Sequence, residues 1–294
     1  MYIFMDIFLI QDDLPNLKCF SMNCYASIDR FNEKILSLFR RMLHLEKLSL
    51  YLCIENGNRF IDERYLQTEI IVYMPQLRSF TFYISTYVEF VNSVDYVSRQ
   101  DLEQIIINHE HQCMATIINH IIDFQTICSI FSLPFAFNRL HDIGNVFPDT
   151  IFHNVTYLMV HDVVPFDHEF FIRMARSFPL LAHLQLVNLK PQSSHSRSTS
   201  PSDHIHTCSI IEYRHLISLD ARLAHRNYLE QFLSERKSSV PRLTELTIVF
   251  NELRLVTNNF TRVELRNNCA NLKRLFYMSS WVHTKQFYVF FPLL

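Results

Sequence analysis

The sequence predicts an α/β solenoid, a curved stack of strand–helix units with a parallel inner sheet and outer helices. Three observations favour this fold. One nine-residue pattern recurs, as in FPLLAHLQL (178–186), VPRLTELTI (240–248) and MPQLRSFTF (74–82). Between its copies the apolar spacing changes to the three- and four-residue steps of a helix. The 294 residues are 49% hydrophobic with a formal charge of −2, a globular composition that can bury a large core.

The recurring pattern is an apolar residue, often followed by proline, with further apolar residues three, six and eight positions after the first. Eight segments fit it, and their second apolar residues lie at positions 17, 45, 77, 155, 181, 216, 243 and 272. All intervals but one are 26 to 35 residues, close to the period of leucine-rich repeats. The long interval leaves room for a further unit, whose strand we expect at residues 127–133 (ICSIFSL). We therefore predict a right-handed leucine-rich-repeat solenoid of roughly nine irregular units. An ordinary α/β domain with coincidental leucines is the alternative.

The last two apolar residues of each copy predict a short strand. In the first quoted copy these are Leu184 and Leu186. Because side chains alternate across a strand, both point inward while the residues beside them point outward. A preceding proline fits, since it ends the previous helix and needs no hydrogen-bond partner for its nitrogen.

Helical spacing is found between the predicted strands. It occurs in FNEKILSLFRRM (31–42), YLQTEII (65–71), FDHEFFIRMARSF (166–178) and YLEQFL (228–233), and Asp167 is placed to begin its helix. The segment DLEQIIINHEHQCMATIINHIIDF (101–124) is also predicted to be helical. Each unit is too small to bury its own apolar edge, so stacking of units would supply the core.

The whole chain, 1–294, is predicted to be a single leucine-rich-repeat-like domain. Its one insert is the Ser-rich segment 190–207 (KPQSSHSRSTSPSDHIHT), which we expect to be disordered because it has almost no large apolar residue.

The apolar start, MYIFMDIFLI, is too short to span a membrane and lacks the layout of a signal peptide. We expect no membrane association, a cytoplasmic or nuclear location, and reduced thiols for the seven scattered cysteines.

Composition argues against several functions. The two glycines, Gly57 and Gly144, are too few and too far apart for a phosphate-binding loop or a nucleophile elbow. The sequence has no long run of basic residues, which argues against binding to nucleic acid. The histidine-rich sets are His109, His111, Cys113 and His120, and His204, His206 and Cys208; they are predicted to be ordinary polar residues. We expect no enzyme, no cofactor and no metal, and a cryptic metal-dependent hydrolase is the least favoured alternative.

The expected functional feature is the concave face of the sheet, formed by the outward residues of each strand. Mixed polar groups, aromatics and a methionine on a rigid sheet suit protein binding. The predicted protein-binding residues are Lys47, Ser49, Ser79, Thr81, Tyr157, Met159, His183, Gln185, Asp220, Glu245, Thr247 and Arg274, with Cys19, Ser21, Ser218 and Phe276 in equivalent positions.

Several stretches resemble a large family of F-box proteins with divergent leucine-rich repeats. They are residues 162–192, 213–233, 241–262 and 271–294, with a weaker likeness at 128–140 (CSIFSLPFAFNRL). The resemblance covers roughly residues 40–294. It implies a substrate-recognition arc of a ubiquitin ligase, with a protein substrate or partner on the concave face. The asparagine ladder of regular repeats is represented only by Asn23 and Asn188.

In that family an F-box precedes the repeats and docks the ligase adaptor. Here Leu14 already opens the first repeat, so adaptor binding is expected only if an F-box is encoded upstream. The chain would then be a truncated gene model, or else a repeat-only relative that has lost adaptor docking. A repeat scaffold or inhibitor unrelated to ubiquitin is the alternative function.

Overall fold

The computed structural model describes residues 14–28, 31–55, 60–89, 106–109, 112–122, 125–192, 209–277 and 284–294. Their fold is mixed α/β with parallel sheets, and the chain divides into two compact units, Met1–Phe137 (unit 1) and Asn138–Leu294 (unit 2). The single repeat domain over 1–294 stays a prediction. The predicted disordered insert lies outside the described residues from 193 onward. None of the described helices has the length and apolar character that a membrane crossing requires.

Unit 1 contains a six-stranded sheet in the order β1-β2-β3-β6-β5-β4. Its strands are β1 (Cys19–Ile28), β2 (Lys47–Ile54), β3 (Ser79–Glu89), β4 (Ile106–His109), β5 (Gln112–Ile122) and β6 (Gln125–Leu133). Helix α1 is Phe31–Phe39, and α2 is Glu63–Tyr65, continued by a π-helical segment at Leu66–Ile70 and a 3₁₀ turn at Ile71–Tyr73. Strands β1, β2 and β3 are parallel to one another. The next strand, β6, is antiparallel to β3, and β5 and β4 are each antiparallel to the strand before them in the sheet.

The core of unit 1 lies between the parallel strands and the helices. Phe20, Leu48 and Phe80 are paired across β1, β2 and β3, as the repeat pattern predicts. The inward side chains of the strands cluster with Ile35 of α1 and Leu66 of the π-helical segment. The helical spacing at 31–42 and 65–71 is confirmed by these elements.

The prediction for residues 101–133 is partly wrong. Residues 106–109 and 112–122 are strands, although the sequence suggested a helix. Their many isoleucines are β-branched and fit a sheet better than a helix. The predicted strand at 127–133 exists as β6, but it runs antiparallel to β3 and is therefore not a further parallel repeat unit.

Unit 2 contains a six-stranded sheet in the order β14-β13-β11-β9-β8-β7, and every neighbouring pair is parallel. Its strands are β7 (Arg139–Ile143), β8 (Tyr157–His161), β9 (His183–Asn188), β11 (Ser218–Ala224), β13 (Glu245–Thr247) and β14 (Arg274–Phe276); β10 (Ile211–Glu212) and β12 (Ser238–Ser239) form a separate parallel pair. The helices are α3 (His168–Ser177), α4 (Arg226–Leu233), α5 (Phe250–Val256), α6 (Arg266–Cys269) and α7 (Lys285–Phe290), with a 3₁₀ turn at Val263–Leu265.

One row of leucines runs across the large sheet of unit 2. Each residue is paired with the next on the adjacent strand, and all are buried except half-buried Leu275 on edge strand β14. The row is Leu140, Leu158, Leu184, Leu219, Leu246 and Leu275. The predicted alignment of the repeat positions in adjacent parallel strands is therefore confirmed within this sheet.

Local signals account for the helices that back the sheet. Helix α3 begins where the sequence predicts, because the Asp167 carboxylate accepts a 2.8 Å hydrogen bond from the Phe170 N–H. Strand β7 is not among the predicted strands, since its second inward position holds Asp142 instead of an apolar residue. Asp142 has a φ of 55° and lies where the pairing with β8 shifts register.

Candidate functional site

The residues predicted for the concave face form cross-strand rows in both units. In unit 2 one row is Tyr157, His183, Ser218, Glu245 and Arg274, and the next is Met159, Gln185, Asp220, Thr247 and Phe276. All of these side chains are exposed or half-buried, whereas the leucines between them are buried, Leu275 excepted. We call these two rows the unit 2 face.

The corresponding surface of unit 1 is smaller. Its rows are Cys19, Lys47 and Ser79, and Ser21, Ser49 and Thr81. Farther along the same side of the strands, Tyr51 and Tyr83 stack with ring centroids 4.5 Å apart and are completely buried. Phe137 and Phe135 pack edge-on against them. This aromatic group covers part of the same side of β2 and β3, whereas the two short rows, which we call the unit 1 face, are accessible.

Tyr157 is the centre of a tightly packed group on the unit 2 face. The Arg139 guanidinium carbon lies 4.1 Å from the centroid of its ring, and the His141 ring meets it edge-on at 5.4 Å. The Tyr157 hydroxyl donates a 2.7 Å hydrogen bond to Gln185 Oε1. Burial raises the pKa of Tyr157 and lowers the pKa of His141, so both groups are held neutral around pH 7.

This group has the composition of a binding hot spot. Tyrosine and arginine are enriched among residues that dominate binding energy, and a ring held by three neighbours loses little conformational entropy when a partner docks. Arg139 and His141 belong to β7, so this part of the group is absent from the sequence prediction.

Two ion pairs follow on the strands beyond Tyr157. Arg222 contacts Asp220 with both ends of its guanidinium, at 3.1 Å from Nε to Oδ1 and 2.7 Å from Nη2 to Oδ2. Arg274 pairs with Glu245 on the neighbouring strand. Arg222 reaches Asp220 next to an irregularity in β11, where the register against β9 shifts between Asp220 and Leu223. Arg222 lies two residues after Asp220, on the side that strand alternation also assigns to it, but the recurring pattern ends at Ala221 and therefore did not include it.

Asparagines fix the turn that follows β8. Asn145 donates to Asp162 Oδ2 from its backbone N–H (2.7 Å) and its side chain (2.9 Å). The carbonyl of Val164 accepts from the side chains of Asn145 (3.2 Å) and Asn188 (2.7 Å). These bonds tie the carboxyl ends of β8 and β9 together, at the opposite ends of the strands from Tyr157 and His183.

The described residues include no group of three or more histidines, cysteines or acids that could hold a metal ion. The side chains of His109, His111, Cys113 and His120 lie outside the described residues, as do His204, His206 and Cys208. The described thiols are free, and burial raises the pKa of Cys128 to about 12. The expectation that the chain has no catalytic or metal site stays a prediction.

The chain matches no protein-family model, no curated protein and no solved structure. The likeness to F-box proteins with leucine-rich repeats is therefore supported only by the residues on which it was based. The candidate site rests on the geometry of the two faces.

Proposed function

We propose that this chain is a non-enzymatic protein-binding repeat protein whose strand–helix units are leucine-rich repeats of a right-handed solenoid. In this proposal the unit 2 face is the principal binding surface. The observation that carries it is the division of one parallel sheet into a buried leucine row and accessible rows of mixed polar, charged and aromatic residues, among them Tyr157, His183 and Arg274. Such a surface is fixed by the core behind it, so it can bind without reorganising.

Two further features support the repeat assignment. Asp162 and Asn188 each lie two residues after the last apolar residue of their repeat, at the position where regular repeats carry a ladder asparagine. Their side chains bond to the turn backbone, as ladder residues do. The antiparallel strands β4–β6 interrupt the repeats in unit 1 and correspond to the long interval in the sequence.

The resemblance to F-box proteins favours a substrate receptor as the biological role. A pull-down with purified ligase adaptor tests that part separately. The 294-residue chain should not retain the adaptor, whereas a longer product bearing an F-box should. If the longer product also fails, the ubiquitin assignment is wrong and the chain is a binding scaffold of another kind.

The binding surface itself can be tested with a photo-crosslinking amino acid at His183 on the unit 2 face and at Arg176 on helix α3. Both positions are exposed and belong to consecutive elements of one unit, so they are matched in accessibility. In cells we expect one partner to be crosslinked from His183 and not from Arg176.

The partner is then purified and its affinity measured by calorimetry. Tyr157→Ala should weaken it by about 2 kcal/mol, roughly thirtyfold, because Tyr157 is the centre of the packed group with Arg139, His141 and Gln185 on this face. Equal crosslinking from Arg176, or an unchanged affinity for Tyr157→Ala in a folded protein, would show that binding occurs elsewhere.

A further inference from the structure

We infer that the unit 2 face selects an acidic, carboxylate-rich segment of a partner protein that also presents an apolar side chain. This inference rests on the proposed function and specifies the chemistry of its partner. It follows from how the charges of the face are arranged, and from what lies beside them.

In both ion pairs of the unit 2 face the arginine lies outermost. The Arg222 side chain is 48% exposed and that of Asp220 is 22% exposed. For Arg274 and Glu245 the exposed fractions are 64% and 20%. Each carboxylate therefore lies beneath its arginine, and a docking partner meets guanidinium groups first. A guanidinium has five N–H donors in a planar fork, so the pairing with one carboxylate leaves donors for a second.

The ion pairs on the helices of unit 2 have the opposite arrangement. Arg262 bridges Glu230 of α4 and Glu264 of the adjoining 3₁₀ turn, and both carboxylates are more exposed than the arginine, at 35% against 29%. An outward arginine is therefore not a property of every ion pair in this unit, although Arg214 is also more exposed than Glu212 on the separate strand β10.

An ion pair at the edge of the unit 1 sheet, outside the two rows of the unit 1 face, has the same arrangement, with the cation more exposed than the carboxylate. Lys18 and Glu46, at the amino-terminal ends of β1 and β2, pair at 3.0 Å, with the lysine largely exposed and the glutamate mostly covered. Exposed Lys47 and Arg78 lie close enough to Glu46 to help lower its pKa, together with the hydrogen bond from Lys18. Three cations thus surround one carboxylate, although the whole chain has a formal charge of −2.

An apolar patch adjoins the arginines of the unit 2 face. Phe276 follows Arg274 on the same side of β14 and is half exposed. Leu223 comes directly after Arg222, and Val249 follows two residues after Thr247 of β13; both are also about half exposed. Exposed apolar side chains next to cationic groups match a segment in which glutamates or aspartates flank one large apolar residue.

The test uses fluorescein-labelled octapeptides and the full chain, with fluorescence polarisation as the readout. One peptide has glutamates on both sides of one phenylalanine; the others replace the glutamates with glutamine or lysine, and a uridine octanucleotide represents nucleic acid. We expect binding of the glutamate peptide alone, weakened by raising the salt concentration from about 0.05 to about 0.3 M.

Two substitutions should act in opposite directions. Arg222→Gln should weaken the glutamate peptide about two- to fivefold, and Asp220→Asn should strengthen it by a similar factor, because one removes the attracting charge and the other removes its competitor. A folding defect could not produce tighter binding. The matched control is Arg214→Gln, since Arg214 pairs with Glu212 at the same two-residue spacing on the separate strand β10. That variant should bind as the wild type does.

Equal binding of the glutamine or lysine peptide, binding of the oligonucleotide instead, no detectable binding of the glutamate peptide at millimolar concentration, or the same effect from Arg214→Gln would each overturn the inference. These outcomes are distinct from a failure of the proposed function. A partner crosslinked from His183 through a basic or uncharged segment would refute the acidic specificity and leave protein binding intact.

Discussion

Replacing Leu184 with alanine tests whether the aligned leucines are the shared interior of the unit 2 sheet. Leu184 is 2% exposed and is paired on its two sides with Leu158 and Leu219, both completely buried. Because strands flank Leu184 on both sides, the surrounding residues can move little to fill the cavity that a shorter side chain would leave. Buried leucine-to-alanine changes cost about 2–5 kcal/mol, and we expect about 3–5 kcal/mol here.

Two other leucines calibrate this value. Leu275 occupies the equivalent position on edge strand β14, is half-buried and has only Leu246 as a paired neighbour, so its replacement should cost about 1–2 kcal/mol. Leu180 precedes the same strand as Leu184 but is 44% exposed, and its replacement should cost less than about 0.5 kcal/mol.

Urea unfolding followed by far-ultraviolet circular dichroism measures all three variants. Leu184→Ala should unfold at the lowest urea concentration, Leu275→Ala at a higher one and Leu180→Ala at the highest of the three. The slope of the unfolding free energy against urea concentration should be unchanged. Equal losses for Leu184→Ala and Leu275→Ala would mean that the central strand has no more packing than the edge. A loss under about 1 kcal/mol for Leu184→Ala, which is the average cost of a point substitution, would refute the shared interior.

Three further predictions concern polar groups and thiols. Asn188→Asp should lower the free energy of unfolding by about 1–3 kcal/mol, because a carboxylate cannot donate to the turn carbonyl; Asn271→Asp, which changes an exposed bond of the same kind, should cost little by the same urea assay. Burial raises the pKa of Tyr228 to about 12. The unfolded chain therefore loses this proton at lower pH than the folded one, so stability should fall above pH 10 by at most about 1.4 kcal/mol per pH unit, and Tyr228→Phe should reduce that slope. With iodoacetamide at about pH 8, exposed Cys19 should react quickly and buried Cys128 only on unfolding, as peptide mass spectrometry would show.

The repeat strands could be predicted because their signal is local. A buried side chain every second residue, such as Leu184 and Leu186, fixes both the strand and its face whatever the neighbours are. The register between strands then follows, since a slip of one residue would turn the leucines toward the exposed side. The rows of the unit 2 face were predicted for the same reason.

Residues 101–133 could not be read in this way. Apolar residues there occur at both strand and helix spacings, so the sequence alone does not distinguish the two. In the fold, β6 forms a strand because it pairs antiparallel with β3, for example Ile84 with Ile130. Such pairing depends on contacts far apart in the chain, which periodicity does not contain.

The candidate site shows the same limit. Arg139, His141 and Arg222 were missed, because β7 has Asp142 where an apolar residue was expected and because the recurring pattern ends at Ala221, one residue before Arg222. The stack of Tyr51 and Tyr83 under Phe137 and Phe135 was not predicted either, because these contacts join residues far apart in the chain.

The alternation that builds the sheet also separates stability from recognition. Leu184 faces the core and Gln185, the next residue, lies on the unit 2 face beside Tyr157. Substitutions at the leucine row should therefore change unfolding, whereas substitutions at the face should change binding with little effect on unfolding. Because the face residues carry little of the fold's stability, their side chains are free to be selected for a partner. In the proposed function, the outward position of Arg222 and Arg274 serves contact with the partner and contributes little to the fold.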